Sequence, residues 1–171
     1  MREPSGTRIG FPGRYLRVAV ETWPGIGEWE VAHQPGAAAL LAITPREDVV
    51  LVRQFRPPVR DDLVEIPAGL LDVDGEDAMT CAVRELREET GFEASGTRFL
   101  GGVYVSPGST DHYVHLFVAR TAAEPVGEGE PGIEVVLRPF AEMVEAAAAG
   151  RVRDAKTALA LLMAARQPAP P

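Results

Sequence analysis

Cysteine is nearly absent from this chain. Cys81 is the only one among 171 residues, so no internal disulfide can form. Positive charge is also in deficit. The formal net charge is −8, which argues against an electropositive nucleic-acid-binding face. An anionic small molecule fits only if metal ions bridge it to carboxylates. No apolar run approaches the ~18 residues of a membrane span. Residues 1–13 carry charges, Gly and Pro but no apolar core of a signal peptide. With no internal repeat either, the expectation is one cytoplasmic domain with a real core and no membrane partner. Residues 1–13 are expected to be loose, 14–166 to form the domain, and 167–171 to be a disordered tail.

Strands are expected at Tyr15 to Thr22, Ala37 to Ile43, Val49 to Phe55, Arg98 to Val105, His115 to Arg120 and Glu134 to Leu137. A shorter one runs from Leu63 to Ile66 and stops at Pro67. Helical spacing covers Asp77 to Thr90, Phe140 to Ala149 and Asp154 to Arg166. Gly91 and Gly150 stand where C-terminal cap glycines belong. Strands interleaved with few helices indicate a mixed α/β or α+β fold, not a βαβ repeat.

The densest chemistry lies in Arg84-Glu85-Leu86-Arg87-Glu88-Glu89-Thr90-Gly91-Phe92. Glu85, Glu88 and Glu89 stand at i, i+3 and i+4, so a helix presents them from neighbouring positions. Like charges so spaced repel, by a few tenths of a kcal/mol per pair. Oxygen ligands in that density suit a hard divalent cation such as Mg²⁺. The bland alternative is a solvated acidic face. On a wheel of about 100° per residue, Met79, Ala82, Val83, Leu86 and Thr90 form the core side. Glu85 and Glu89 flank that side, bordering the core without entering it, and Glu88 lies further round.

Gly69, Glu76 and the Arg84–Phe92 run together resemble the Nudix box, G-x5-E-x7-R-E-U-x-E-E-x-G-U, where U is aliphatic or aromatic. From Glu76 onward every position agrees. Upstream, six residues separate Gly69 from Glu76, one more than the consensus, which is read as a longer loop before the helix. Further stretches are similar to the ADP-ribose pyrophosphatase branch of that family: Val52-Arg53-Gln54-Phe55-Arg56, Glu65-Ile66-Pro67-Ala68-Gly69, Ser106-Pro107-Gly108 and Arg153-Asp154-Ala155-Lys156-Thr157.

The resemblance implies a Nudix fold. That is a mixed sheet sandwiched between helices, with an extra N-terminal antiparallel sheet, here up to about residue 36, often exchanged in a homodimer. It also implies a hydrolase that cleaves the pyrophosphate of a nucleoside diphosphate derivative. ADP-ribose, giving AMP and ribose 5-phosphate, is the first expectation. GDP-mannose or another sugar nucleotide is the alternative. Two further classes are a sensor that binds ADP-ribose without cutting it and a structural protein with a charged helix. The implied cofactor is Mg²⁺, or Mn²⁺ or another divalent cation, with two or more ions per site.

Carried over by residue, Glu85 and Glu89 are the main metal ligands, with Glu88 and the Ala68 carbonyl joining them. Arg84 holds the Glu side chains, and Glu76 supports. Arg56 is a phosphate contact or a plain surface arginine. Glu65 is a supporting or dimer-partner contact, or a plain strand-end carboxylate. The base is expected on the loop Gly127-Glu128-Gly129-Glu130-Pro131-Gly132, as Glu130 or Glu128, set against a merely solvated acidic loop. Ser106, Pro107 and Gly108 belong to the substrate side. Relatives often carry a Glu soon after this motif, where this chain has Asp111-His112. His112 or Asp111 replaces it in part, or His112 is simply exposed. Trp29 stacks on the base, worth ~1–3 kcal/mol by analogy with single-strand stacking, or is a core or interface residue. Cys81 is assigned no chemistry.

Overall fold

A computed structural model describes residues 2–167. Two sheets carry the chain. The first is antiparallel and three-stranded, in the order β1 (Gly6–Pro12), β2 (Arg17–Trp23), β3 (Gly27–His33). The second has seven strands. Its main path runs β10 (Glu134–Pro139), β5 (Asp48–Arg56), β4 (Ala37–Ile43), β9 (Tyr113–Thr121), β8 (Ala94–Tyr104). Off this path, β6 (Asp61–Glu65) pairs with β5 and β7 (Ala68–Leu70) with β4. The β4–β9 pair is parallel and the others are antiparallel.

Strand β4 shows why the sheet lies between helices. All seven residues of its Ala-Ala-Ala-Leu-Leu-Ala-Ile run are buried. Side chains alternate across a strand, so a continuous apolar run needs cover on both faces. Ala37, Ala39, Leu41 and Ile43 pack with α2 (Phe140–Ala148) and α3 (Ala155–Ala164). Ala38, Leu40 and Ala42 pack with Cys81, Ala82 and Leu86 of α1 (Ala78–Thr90). Full burial of each leucine contributes about 1.5–3 kcal/mol. Among the described residues no helix is long and apolar enough to cross a membrane.

The expected loose N-terminus is corrected here: Gly6–Pro12 is strand β1. All seven residues are exposed, so no burial pattern marks it. Its backbone bonds to β2, with a bulge between Ile9 and Phe11, make the strand. Strand β3 is a further addition to the expected elements. It returns through Pro24-Gly25-Ile26-Gly27, where Gly25 and Gly27 adopt φ 76° and 104°. Only glycine does this at little cost, so the turn was legible in principle. Strand β8 starts four residues before the expected Arg98, at Ala94. Of the expected tail, 168–171 lie outside the described residues.

Helix α1 begins at Asp77, whose carboxylate accepts from the Met79 and Thr80 N–H groups at 2.9 and 3.0 Å. It ends at Gly91 with φ 73°. The expected core stripe needs three changes. Met79 is exposed, while Cys81 and Glu89 are buried. Burial pushes the Cys81 thiol up to about 12, with help from Glu76 and Glu85, which keeps it unreactive.

Candidate functional site

Arg84 is the hub of the acidic cluster. Its Nε and Nη2 donate to the two oxygens of Glu76 at 2.8 and 3.0 Å. Nη1 donates to Glu85 at 2.7 Å and to Glu88 at 2.8 Å. One guanidinium thus organises three carboxylates, the work expected of it. Glu76 lies below its ordinary value because Arg84 bonds it. Glu85 moves the other way. Burial raises it, and Glu88 and Glu76 add to this against the pull of Arg84.

Two features seat the carboxylates. A Cβ on Gly69 would fall 2.0 Å from the Glu85 carboxyl carbon. The Glu85 side chain therefore lies directly over a bare backbone, and any side chain at that position would push the Glu85 carboxylate aside. Glu89 receives the Ala68 N–H at 3.2 Å. Glu89 is only 6% exposed, deeper than the helix wheel placed it. The cause is tertiary: a loop covers the end of α1. A Cβ on Gly129 would lie 2.5 Å from the Glu89 carbonyl oxygen, and the Val126 N–H donates to Gly91 O at 2.9 Å.

Burial is the main reason that Glu89 is pushed up to about 7. Glu85 and Glu130 raise it further, while the Ala68 N–H and Arg56 oppose the shift. Glu130 is thus the loop carboxylate whose charge reaches Glu89, although its side chain is exposed. Among the described residues, no three acidic, histidine or cysteine side chains already converge on an ion position. The donor set nevertheless fits a hard cation. It is all oxygen, and like charges crowd a desolvated carboxylate that an added positive charge would relieve.

Beside this cluster, Arg56 forms a two-pronged pair with Glu65, at 2.9 and 2.8 Å. Lys156 also reaches Glu65, at 2.5 Å, and Asp154 at 3.0 Å. Glu65 is 2% exposed. Burial alone would raise it, but Arg56 and Lys156 outweigh that and hold it below its ordinary value. Thr157 accepts the Ile66 N–H at 2.8 Å, tying the start of α3 to the chain just beyond β6. Lys156 stands within one of the family-like stretches, but the sequence assigns it no role. The signal available was a basic residue two positions past Asp154, which caps α3 by accepting from Thr157 N–H at 3.0 Å.

The remaining expected residues gather elsewhere. Trp29 donates from its indole to Gly108 O at 2.9 Å. His33 bridges Asp111 and Glu21, at 2.6 and 3.1 Å, a link with no signal in the sequence. The Ala32 N–H donates to Ser109 O at 2.8 Å. His112, set against an exposed histidine, is half-buried with Nδ1 2.9 Å from Pro35 O. Together these bonds pin the 106–112 loop to the N-terminal sheet. A cavity of about 770 Å³ opens there, lined by Trp23, Trp29, Tyr104, Pro107 and Asp111 among others. No α1 residue, nor Arg56, lines it. One chain thus holds two clusters, a carboxylate one on α1 and an aromatic one shared by β2, β3 and β8.

A NUDIX domain family model matches residues 32–161. The ADP-ribose pyrophosphatase of Bacillus subtilis (strain 168) is 39% identical over 139 residues, 77% of this chain and 73% of that protein. The GDP-mannose pyrophosphatase of Yersinia enterocolitica is 37% identical over 137 residues, 74% and 71% of the two. The methanol dehydrogenase activator of Bacillus methanolicus is 34% identical over 159 residues, 88% and 85%.

Proposed function

Because this chain belongs to the NUDIX domain family, we propose that it is a divalent-cation-dependent pyrophosphatase that splits ADP-ribose into AMP and ribose 5-phosphate. It is a hydrolase acting on phosphoric anhydride bonds. The observation that carries the reading is the carboxylate row of α1, with Glu85 and Glu88 held by Arg84, Glu85 laid over Gly69, and Glu89 buried on the Ala68 N–H.

In this reading Glu85, Glu88, Glu89 and the Ala68 carbonyl hold Mg²⁺. When bound, the metal neutralises diphosphate oxygens and acidifies water. Arg84 keeps the carboxylates in place, and Gly69 leaves room for Glu85. Arg56 offers the diphosphate the N–H groups that Glu65 does not use. Glu130 takes the proton from the attacking water. Its exposed place on a glycine-flanked loop lets it move over the scissile bond. Trp29 and the Ser106–Gly108 loop contact the nucleoside.

The test is a product assay. Purified protein with Mg²⁺ should yield AMP and ribose 5-phosphate from ADP-ribose, with a kcat/KM above that for GDP-mannose. No AMP above a Glu89→Gln control overturns the proposal. GDP-mannose is the second reading, since relatives bearing that name match at nearly the same identity as the ADP-ribose one. A reversed kcat/KM order selects it.

A homodimer belongs to the same proposal. Strand β1 is wholly exposed, and Ile9, Phe11, Tyr15 and Leu16 present apolar side chains to solvent. Light scattering should give twice the chain mass of 18.4 kDa. A monomer at assay concentration removes this part of the reading.

A further inference from the structure

A second cleft, of about 320 Å³, lies on the face of the large sheet opposite α1. Its floor includes Val136 and Met143, which belong to the core shared with α2 and α3. Around it stand Arg53, Arg138, Arg151 and Arg153, with Asp62 as the one acid in the wall. Four of the 17 basic residues of a chain with net charge −8 therefore meet at one small cleft.

Two of these charges are partly neutralised at the rim. Arg53 meets Glu134 at 3.2 Å, and Arg153 meets Asp61 at 2.7 Å. Arg138 donates to its neighbour's carbonyl, Leu137 O, at 2.9 Å. Neither Arg138 nor Arg151 has a carboxylate partner among the described residues. Arginines converging on an apolar-floored concavity repel one another unless an anion joins them. Low-dielectric walls also focus their field into the cleft.

We propose that this cleft binds a small phosphate-bearing anion, either inorganic phosphate or a phosphate monoester. Guanidinium forks match phosphate oxygens in pairs. The volume is at the lower end for small-molecule sites, suited to a phosphorylated sugar and not to a dinucleotide. Arg153 also connects the cleft to the hairpin that carries Arg56. Its partner Asp61 stands opposite Arg56 in the β5–β6 register. Binding here is independent of the proposed hydrolysis, because the α1 carboxylates lie on the other face.

Calorimetric titration of the full chain, in metal-free buffer at low salt, tests this with inorganic phosphate and with ribose 5-phosphate. Binding of both identifies the phosphate group as the recognised element, and binding of the ester alone identifies the monoester. The exposed pair R138A/R151A should weaken binding at least fivefold, with a melting curve like that of wild type. Arg56→Ala should leave binding within twofold. No heat with either probe overturns the proposal. So does unchanged binding in R138A/R151A, or loss confined to Arg56→Ala, which would assign the anion to the diphosphate site.

Discussion

Glu89→Gln will lower ADP-ribose turnover by about 10²–10³-fold while the protein stays folded. Lewis-acid stabilisation is worth several kcal/mol, and each 1.36 kcal/mol is a factor of about ten in rate. Glutamine keeps an oxygen for the Ala68 N–H, so the local hydrogen bond survives. It removes the negative charge that burial, Glu85 and Glu130 all disfavour. Steady-state kinetics beside a circular-dichroism spectrum read both halves. Normal turnover in this variant would refute the metal-ligand role.

The same substitution has a stability consequence with a definite sign. The Glu89 carboxyl is raised in the folded state from an ordinary 4.5 to about 7. A raised group contributes stability below its unfolded value and loses it as pH rises through the folded one. Metal-free wild type therefore loses on the order of 3 kcal/mol from this group between about pH 4.5 and 7. Glu89→Gln lacks that slope, so its Tm at pH 8 should exceed that of wild type. Added Mg²⁺ should close the gap.

Glu65→Ala is expected to be the more damaging change to the fold, costing about 2–3 kcal/mol. Breaking a buried ion pair typically costs ~3–5 kcal/mol, and the partial exposure of Arg56 reduces this. The substitution leaves Lys156 with Asp154 alone and releases Arg56 from its two-pronged hold. Urea unfolding at pH 7 measures the loss, and a raised KM reports the freed Arg56. Glu65 sits below its ordinary 4.5 in the folded state, so its contribution is present above that pH and fades as pH falls further. Wild type and Glu65→Ala should converge in stability in acid. A variant as stable as wild type at pH 7 would contradict the network.

Much of the architecture was legible because burial writes itself into residue order. The uninterrupted apolar run of β4 marked a strand, and its bounds match the structure. Helical spacing from Asp77 and the cap glycine Gly91 bracketed α1. Strand β1 left no such trace, since backbone bonds hold it and no side chain is buried. The depth of Glu89 was equally hidden. A helix wheel shows which face of α1 is apolar but not which distant loop will close over its end. Here Val126 and Gly129 do so, from beyond strands β8 and β9.

Sequence alone determined the family, the helix that bears the carboxylates and their relative spacing, because these are local properties of a short segment with fixed periodicity. Tertiary structure decided which charges meet. Lys156 reaches Glu65 across 91 positions, and His33 reaches Asp111 across 78. Glu130 approaches Glu89 only because glycines let its loop lie against α1. Such encounters depend on the path of the whole chain, and electrostatic energy follows separation in space and desolvation, neither of which residue order encodes directly.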